Sequence, residues 1–292
     1  MYDIESYHRA RNVQHACELL TEHPQARLLA GGTDVLIQLH HLNPKYRHIV
    51  DIHDLAELKG ITLDRHNHLR IGSATTFTEI IEHPLIQQHL PLLAEAAATI
   101  AGPQVRNVAT FGGNICNGAT SADSASPTLA LKAELEIATQ SGSYKRSIEG
   151  FHTGPGKVAL QQGEIVVAFL FAPAYYQNIG SSYIKYAMRG AMDIATIGCT
   201  AVCRIAEGRF TELRLTYGVA APTPIRCPQA ENCAIGQPIT QQTLAAVSEA
   251  VAQDVSPRSS WRAEKSFRLH LIRTLAQRAI TLAVERAGGH IQ

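Results

Sequence analysis

The stretch Leu28-Leu29-Ala30-Gly31-Gly32-Thr33-Asp34 leads from a short apolar segment into a glycine turn. Residues 27–30 predict a strand, and the spacing of Val35, Leu36 and Leu39 after the turn predicts a helix. Glycine tolerates positive φ, and its bare backbone lets N–H groups approach a ligand closely. A strand, a glycine turn and a helix also suit a purely structural turn, so this segment alone does not decide the function.

A second glycine segment, Ala109-Thr110-Phe111-Gly112-Gly113-Asn114, continues through Gly118 to Asp123. The two segments together offer bare amides for phosphate oxygens, and Asp34 or Asp123 can accept a hydrogen bond from a sugar hydroxyl. This combination favours a diphosphate flanked by sugar hydroxyls. Ala119-Thr120 replaces the Lys and hydroxyl residue of a P-loop, and no Gly-x-Gly-x-x-Gly opens a helix, which argues against an ATPase and a Rossmann site.

Length and composition exclude several other classes. The chain has 292 residues, 45% of them hydrophobic and 17% charged, with 26 basic against 25 acidic side chains. This balance argues against nucleic-acid or membrane-surface binding. The first residues lack the basic and apolar regions of a secretory signal, so we expect a cytoplasmic protein whose six cysteines remain thiols.

Hydrophobic periodicity predicts an α+β chain. We expect helices over 8–21, from the capping box Thr76/Glu79 to Pro84, over 92–101, from an N-terminus at Ser126-Pro127, and beyond residue 240. Strands are expected at 49–52, 69–71, 134–139 and 164–171, followed by an antiparallel sheet of three strands at 183–187, 194–205 and 211–220. Residues 173–180 are the expected linker.

The two glycine segments resemble the FAD pyrophosphate loops of the flavin subunits of molybdenum hydroxylases, which have the vanillyl-alcohol-oxidase type of fold. Three stretches are similar to the xanthine dehydrogenase branch in particular: Tyr7-His8-Arg9-Ala10, Phe151-His152-Thr153-Gly154-Pro155-Gly156-Lys157 and Ala221-Pro222-Thr223-Pro224-Ile225-Arg226. The resemblance covers the whole chain. It implies a two-part FAD-binding domain at residues 1–176, divided near 57, and a smaller α+β domain at 177–292.

The resemblance also implies a noncovalent FAD site. Residues 28–34 and 109–114 would hold the diphosphate, Ile100 would lie against a ring, and Asp123 would accept from a sugar hydroxyl. Four residues would line the isoalloxazine side: Ile165, Val166, Ile184 and Lys185. Lys185 and Arg189 would place positive charge near the reduced flavin. In the family a mobile charged segment follows the lysine, here residues 189–193, with Met192 where relatives often carry an acidic residue.

The function implied by this resemblance is electron transfer, in which FAD takes electrons from iron–sulfur clusters on one partner, fed by a molybdopterin centre on another, and passes them to NAD⁺. The purine, hypoxanthine or xanthine on its way to urate, would touch no residue of this chain. We therefore expect neither a catalytic acid–base residue nor a metal ligand here. The stretch from Ala119 to Ala125, in which Asp123 is the one charged residue, is the expected docking face for a partner.

Two alternative functions remain beside this hypothesis, and several cysteines and histidines have a purely structural interpretation. The chain could be a self-contained flavin reductase of the cell-wall aminosugar type, although no convincing Ser and Glu pair supplies a proton donor, or a flavin-binding regulatory module. Cys116, inside the second segment, is expected to pack as a small apolar residue. The histidine pairs His40-His41 and His66-x-His68 lack a third ligand. Cys199 and Cys203 lie too far apart along one strand for a disulfide.

Overall fold

The computed structural model describes residues 2–292, and its first sheet leads directly into the first glycine segment. This sheet has three parallel strands in the order β1-β3-β2. The elements of this part are β1 (Ser6–Arg9), α1 (Val13–Glu22), β2 (Arg27–Leu29), α2 (Val35–His40) and β3 (His48–Asp51). The expected strand at 27–30, the turn after it and the following helix are confirmed.

The helix expected over residues 8–21 starts too early. Residues 6–9 form β1, and the helix begins only at Val13. Asn12 sets this start, because its side-chain oxygen accepts a hydrogen bond from the His15 backbone N–H at 2.7 Å. The apolar spacing identified the helix correctly, but a polar edge strand carries no such spacing.

The second part is a five-stranded antiparallel sheet in the order β4-β5-β10-β6-β7, with a separate small hairpin, β8 and β9. Its strands are β4 (Ile61–Leu63), β5 (Leu69–Gly72), β6 (Glu134–Thr139), β7 (Gly142–Ser147), β8 (His152–Gly154), β9 (Lys157–Val158) and β10 (Ile165–Phe171). The central strand β10 is apolar at every position. This composition suits a strand that the protein covers on both faces.

Six short helices connect these strands: α3 (Phe77–Glu82), α4 (Pro84–His89), α5 (Pro91–Ala98), α6 (Pro103–Arg106), α7 (Phe111–Cys116) and α8 (Ala125–Ala130). The capping box of Thr76 and Glu79 is confirmed. The helix expected from Ser126-Pro127 instead begins at Ala125, after Ser124. The Ser126 hydroxyl is turned towards Thr200, 3.1 Å away, and therefore does not cap the helix.

The third part pairs an antiparallel sheet with three helices. After the one-turn helix α9 (Pro173–Tyr176) come β11 (Gly180–Tyr186), β12 (Ile197–Ala206), β13 (Arg209–Gly218), β14 (Ile225–Arg226), α10 (Pro228–Ala234), α11 (Gln241–Ala250) and α12 (Lys265–Arg286). The expected meander of three strands is confirmed and gains the two-residue strand β14. The expected linker is thus partly helical.

Three hydrophobic clusters form the core, and the arrangement confirms a mixed α+β fold. One cluster lies under the parallel sheet, the largest surrounds the five-stranded sheet and its helices, and the third lies between α12 and the last sheet. Among residues 2–292, none of the helices combines the length and the apolar character that crossing a membrane requires.

Candidate functional site

The first glycine segment offers a row of free backbone donors. Among residues 2–292, the N–H groups of Gly31, Gly32, Thr33 and Asp34 have no hydrogen-bond acceptor. Gly32 has a φ of +74°, a conformation that glycine adopts without steric cost. Successive free amides in a turn form a cradle for an anion, and this is the chemistry that a diphosphate needs. The first segment therefore offers the kind of donors that the expected diphosphate site requires.

The second glycine segment is built differently from that expectation. The N–H groups of Phe111 and Gly112 donate to the Thr75 and Ser73 carbonyls at 2.9 and 2.7 Å, so they are not bare amides. Gly112 is buried against Ser73. Glycine is required there because a Cβ would lie 2.6 Å from the Ser73 Cβ. Only Gly113 is solvent-exposed, at the start of α7. This segment shapes the site by close packing and donates little to it.

Two contacts hold the two segments together. A Cβ on Gly31 would lie 1.8 Å from the Val108 carbonyl oxygen, so the glycine backbone rests directly on the chain before the second segment. The side-chain amide of Asn117 donates to the Asp34 carboxylate at 3.0 Å. The sequence reasoning missed Asn117, although it lies one helical turn beyond the exposed Gly113 and thus on the same side of α7.

A buried ionic group lies next to these segments. The Lys185 ammonium donates to the Asp123 carboxylate at 2.8 Å and to the Thr99 carbonyl at 3.0 Å. The Tyr183 hydroxyl donates to the other Asp123 oxygen at 2.7 Å. Burial raises the pKa of Asp123, while Lys185 and Tyr183 oppose that rise by stabilising the carboxylate. The expected site residues Asp123 and Lys185 are thus brought into direct contact.

Tyr183 and Thr99 were not expected at the site. Tyr183 precedes Lys185 by two positions in β11, and alternate residues of a strand share a face, so the strand prediction could have identified it. The pKa of its hydroxyl is raised far above the usual value by burial and by the Asp123 charge, which keeps it a hydrogen-bond donor. Thr99 meets Lys185 through its carbonyl oxygen, and no residue type signals such a role.

The four apolar site residues divide between different cores. Ile100 and Val166 belong to the same cluster as Ala109 and Phe111 of the second segment. Ile165, one position earlier in β10, points the other way into the cluster against which Leu28 and Ala30 pack. The side chain of Ile184 faces away from Lys185 and packs against the C-terminal core, because adjacent residues of a strand lie on opposite faces.

The segment after Lys185 closes on itself at the surface. Arg189, whose side chain is 70% exposed, donates to the Met192 carbonyl at 2.7 Å, and its backbone N–H donates to Asp193 at 3.0 Å. Met192 has a φ of +52° and lies near Gly102. Arg189 is a surface cation in this structure, whereas Lys185 is held inside.

The stretch from Ala119 to Ala125 is not a free docking face. Ala122 is 4% exposed and Ala125 is fully buried. The Thr120 carbonyl accepts a hydrogen bond from the Val219 N–H at 3.0 Å, so the C-terminal part of the same chain covers the stretch. The low charge of this stretch indicated burial correctly, but the covering surface lies within the chain.

The remaining candidate residues are three cysteines and a histidine that are packed inside the fold. Burial raises the pKa of the Cys116 thiol to about 12, and its side chain packs against the largest core cluster. Cys199 and Cys203 are both buried thiols. His152 lies 3.0 Å from the Ile115 carbonyl, and burial lowers its pKa. In the part of the chain that the structure describes, no three His, Cys, Asp or Glu side chains are grouped to hold a metal ion.

Comparison with known families divides the chain into two matched ranges. Residues 2–173 match the family described as FAD binding domain in molybdopterin dehydrogenase. Residues 182–283 match the CO dehydrogenase flavoprotein C-terminal domain. Both glycine segments and Asp123 lie in the first range, and Lys185 lies in the second.

Two relatives illustrate the similarity. The xanthine dehydrogenase FAD-binding subunit of Escherichia coli O157:H7 is 63% identical over 292 residues, which is the full length of both chains. The carbon monoxide dehydrogenase medium chain of Hydrogenophaga pseudoflava is 30% identical over 281 residues, covering 96% of this chain and 97% of that one. A solved structure of carbon monoxide dehydrogenase from H. pseudoflava superposes with a TM-score of 0.94 over 98% of this chain and 99% of that one.

Proposed function

This chain belongs to the family of FAD-binding subunits of molybdenum hydroxylases, and we propose that it is the FAD subunit of a xanthine dehydrogenase. The observation that carries the proposal is the row of four backbone amides at residues 31–34 that donate to no acceptor within residues 2–292 and lie against the second glycine segment. The full-length similarity to a xanthine dehydrogenase subunit supports the choice of branch.

The residues present fit FAD. The amides of residues 31–34 would hold the diphosphate, with Thr110 to Asn114 forming the opposite wall. Gly113 is the exposed glycine of that wall, so a phosphate oxygen can approach its backbone closely. Asp34 keeps its carboxylate on the Asn117 amide, and this contact provides a partner for its negative charge beside the diphosphate.

The buried ionic group would serve the sugar and ring end of the site. Asp123 offers carboxylate oxygens to a hydroxyl, and Lys185 keeps a positive charge fixed beside it. Ile100 and Val166 would form the apolar support on one side of the rings, and Ile165 would support the first segment from below. We place Ile184 behind the strand, where it secures Lys185 by packing.

Bound FAD would supply the exchange of electrons both singly and in pairs, which suits a relay between one-electron clusters and a two-electron acceptor. The protein's own task is then to bind and orient the cofactor and to set the charge around it. We propose that electrons arrive from a 2Fe-2S subunit, which is supplied by a molybdopterin-binding subunit, and leave to NAD⁺. Purine oxidation itself belongs to the molybdopterin subunit.

The test is to purify the chain without its partners and identify what it binds. We expect one FAD per chain, released intact by denaturant, and oxidation of NADH with an artificial acceptor. The isolated chain should leave xanthine unchanged. Release of FMN, retention of flavin on the denatured chain, or turnover of xanthine by this chain alone would contradict the proposal. FAD without NADH oxidation would contradict the NAD⁺ assignment only.

A further inference from the structure

Arg268, near the start of α12, is a buried cation with no carboxylate paired to it among residues 2–292. The residue is 3% exposed, donates to the Thr196 carbonyl and to the Ser260 hydroxyl, the latter at 2.9 Å, and its Nε has no partner among residues 2–292. Burial lowers the pKa of Arg268, and the nearby charges of Arg258 and Arg262 lower it further. No carboxylate within residues 2–292 forms an ion pair with any of these three arginines. A buried charge of this kind is costly unless an anion completes it.

Arg268 ties two surface segments together. Ser260 begins a tight turn that is closed by hydrogen bonds with Ala263 at 3.0 and 3.2 Å. Thr196 ends the segment that starts at Tyr186, since its N–H donates to the Tyr186 carbonyl at 2.8 Å. The Arg268 side chain therefore fixes the turn and this segment in one arrangement, which gives their outer faces a common surface.

That common surface is unusually apolar. Six of the sixteen large hydrophobic side chains that are exposed within residues 2–292 belong to these two segments or to the start of α12: Tyr186, Met188, Met192, Ile194, Trp261 and Phe267. The rings of Tyr186 and Phe267 are in contact, with centroids 6.0 Å apart, so the segment and the helix meet at the surface. We call these six residues, with Arg258 and Arg262, the Trp261 surface. Trp261, the only tryptophan of the chain, is 79% exposed, and the Arg262 guanidinium lies 4.2 Å from its ring centroid.

The composition of the Trp261 surface is that of a protein interface. Aromatic residues, Met and Arg are enriched at the centres of such interfaces, and Trp and Arg contribute most of their binding energy. Arg258 and Arg262 add charge that no carboxylate within residues 2–292 pairs with, so a complementary surface would supply carboxylates. These observations favour an acidic protein partner that also presents apolar side chains.

We infer that the Trp261 surface docks the iron–sulfur subunit through carboxylates that face Arg258 and Arg262. The inference rests on the proposed function, because the electron donor has to approach the FAD site. The segment from Tyr186 to Thr196 reaches the site through Met192, which lies near Gly102, three residues after the Thr99 carbonyl that accepts from Lys185. The Trp261 surface takes the place of residues 119–125 as the expected docking face, because the chain itself covers those residues.

The experiment compares two charge reversals on α12 and the turn before it. Arg262→Glu places a negative charge on the Trp261 surface, while Arg278→Glu makes the same change at an exposed position of α12, about 15 Å along the helix from Arg268. We expect Arg262→Glu to weaken binding of the purified iron–sulfur subunit by at least about tenfold and Arg278→Glu to change it by less than about twofold. FAD content should stay unchanged in both.

A spectroscopic measurement locates the contact without a variant. In full-length chain carrying 5-fluorotryptophan, the single ¹⁹F resonance of Trp261 should shift or broaden when the unlabelled iron–sulfur subunit is added. A response only to the molybdopterin subunit, or only to NADH, would overturn the assignment of the partner, and no response would overturn the docking surface. If the chain binds no FAD but Arg262→Glu still prevents docking, the proposed function fails and the docking surface stands.

Discussion

The Lys185 ammonium lies 2.8 Å from the Asp123 carboxylate, with side chains 9% and 7% exposed, and this pair joins two halves of the chain. Asp123 comes from the segment before α8, whereas Lys185 comes from β11. Two buried charges are tolerated only when each satisfies the other and the remaining hydrogen bonds are filled. Here the Thr99 carbonyl and the Tyr183 hydroxyl fill them.

Replacing one member of this pair should therefore cost stability as well as FAD affinity. Asp123→Asn leaves Lys185 buried with only neutral acceptors, and we expect the free energy of unfolding to fall by about 3–5 kcal/mol. The double variant Asp123→Asn, Lys185→Met removes both charges and should recover part of that loss. Urea denaturation of the FAD-free proteins measures both. Equal stability of the single and double variants would show that the two charges are not coupled.

The glycines of the two segments should respond differently to an added methyl group. In Gly31→Ala the new Cβ would collide with the Val108 carbonyl, 1.8 Å away, so the segments must separate. We expect loss of FAD and a decrease of about 1–3 kcal/mol in the free energy of unfolding, as for other overpacked sites.

Gly113→Ala is the matched variant. Its Cβ would lie 2.7 Å from the Thr110 hydroxyl, which caps α7 by accepting from the Gly113 N–H at 3.1 Å, so this cap must shift. Loss of a cap costs about 1 kcal/mol and alanine offsets part of it by favouring the helix, so we expect a smaller loss of stability than in Gly31→Ala, while FAD affinity falls because the methyl group occupies the exposed wall of the site. Thermal melts and flavin fluorescence titrations separate the two effects. Normal FAD binding by Gly31→Ala would refute the contact between the segments.

Apolar spacing and turn residues were sufficient to predict the elements that carry the site. The strand ending at Leu29, the glycine turn after it and the long strands β12 and β13 all have a buried face or a strong turn signal. β7 was missed because it is a polar edge strand in which five of the six residues are exposed, so it shows no hydrophobic alternation.

Contacts between distant segments were beyond the sequence. The amides of Phe111 and Gly112 were expected to be free, but the carbonyls that accept from them belong to Ser73 and Thr75, nearly forty residues earlier. Likewise, the low charge of residues 119–125 indicates burial and does not say whether a partner or the same chain provides the cover. Such questions depend on tertiary packing, which local patterns do not encode.

His152 should make stability depend on pH. Its ring lies 3.0 Å from the Ile115 carbonyl in α7, and burial lowers its pKa below the usual 6.5. The unfolded chain therefore binds the proton more tightly than the folded chain, and the stability contributed by the neutral ring is present above about pH 6.5 and lost as the pH falls below it.

His152→Gln provides the comparison, since its amide can still donate to the Ile115 carbonyl but does not titrate. We expect the difference in unfolding free energy between the two proteins to change between about pH 7 and pH 5, with the unmodified chain losing more. Chemical denaturation at a series of pH values measures this difference. A constant difference across the range would mean that His152 titrates alike in the folded and unfolded states.

Arg214 should stabilise the attachment of the C-terminal sheet to the preceding part of the chain. Its side chain reaches from β13 to the carbonyl oxygens of Ala130 and Tyr175, the latter at 2.9 Å, and its Nε lies 3.0 Å from the Glu212 carboxylate. Burial lowers its pKa to about 10, so it remains charged at pH 7. Arg214→Met keeps much of the apolar volume but leaves both carbonyls without a donor and Glu212 with one cation fewer.

We expect Arg214→Met to lower the free energy of unfolding by about 3–5 kcal/mol, because it breaks a buried ion pair and its hydrogen bonds together. The exposed Arg209, which also donates to a carbonyl, that of Gly236 at 2.9 Å, is the control. Arg209→Met should change stability by no more than about 0.5 kcal/mol. Calorimetry also shows whether the two parts then unfold in separate transitions. A single transition at the original temperature in Arg214→Met would show that the remaining contacts between the two parts hold them together without this side chain.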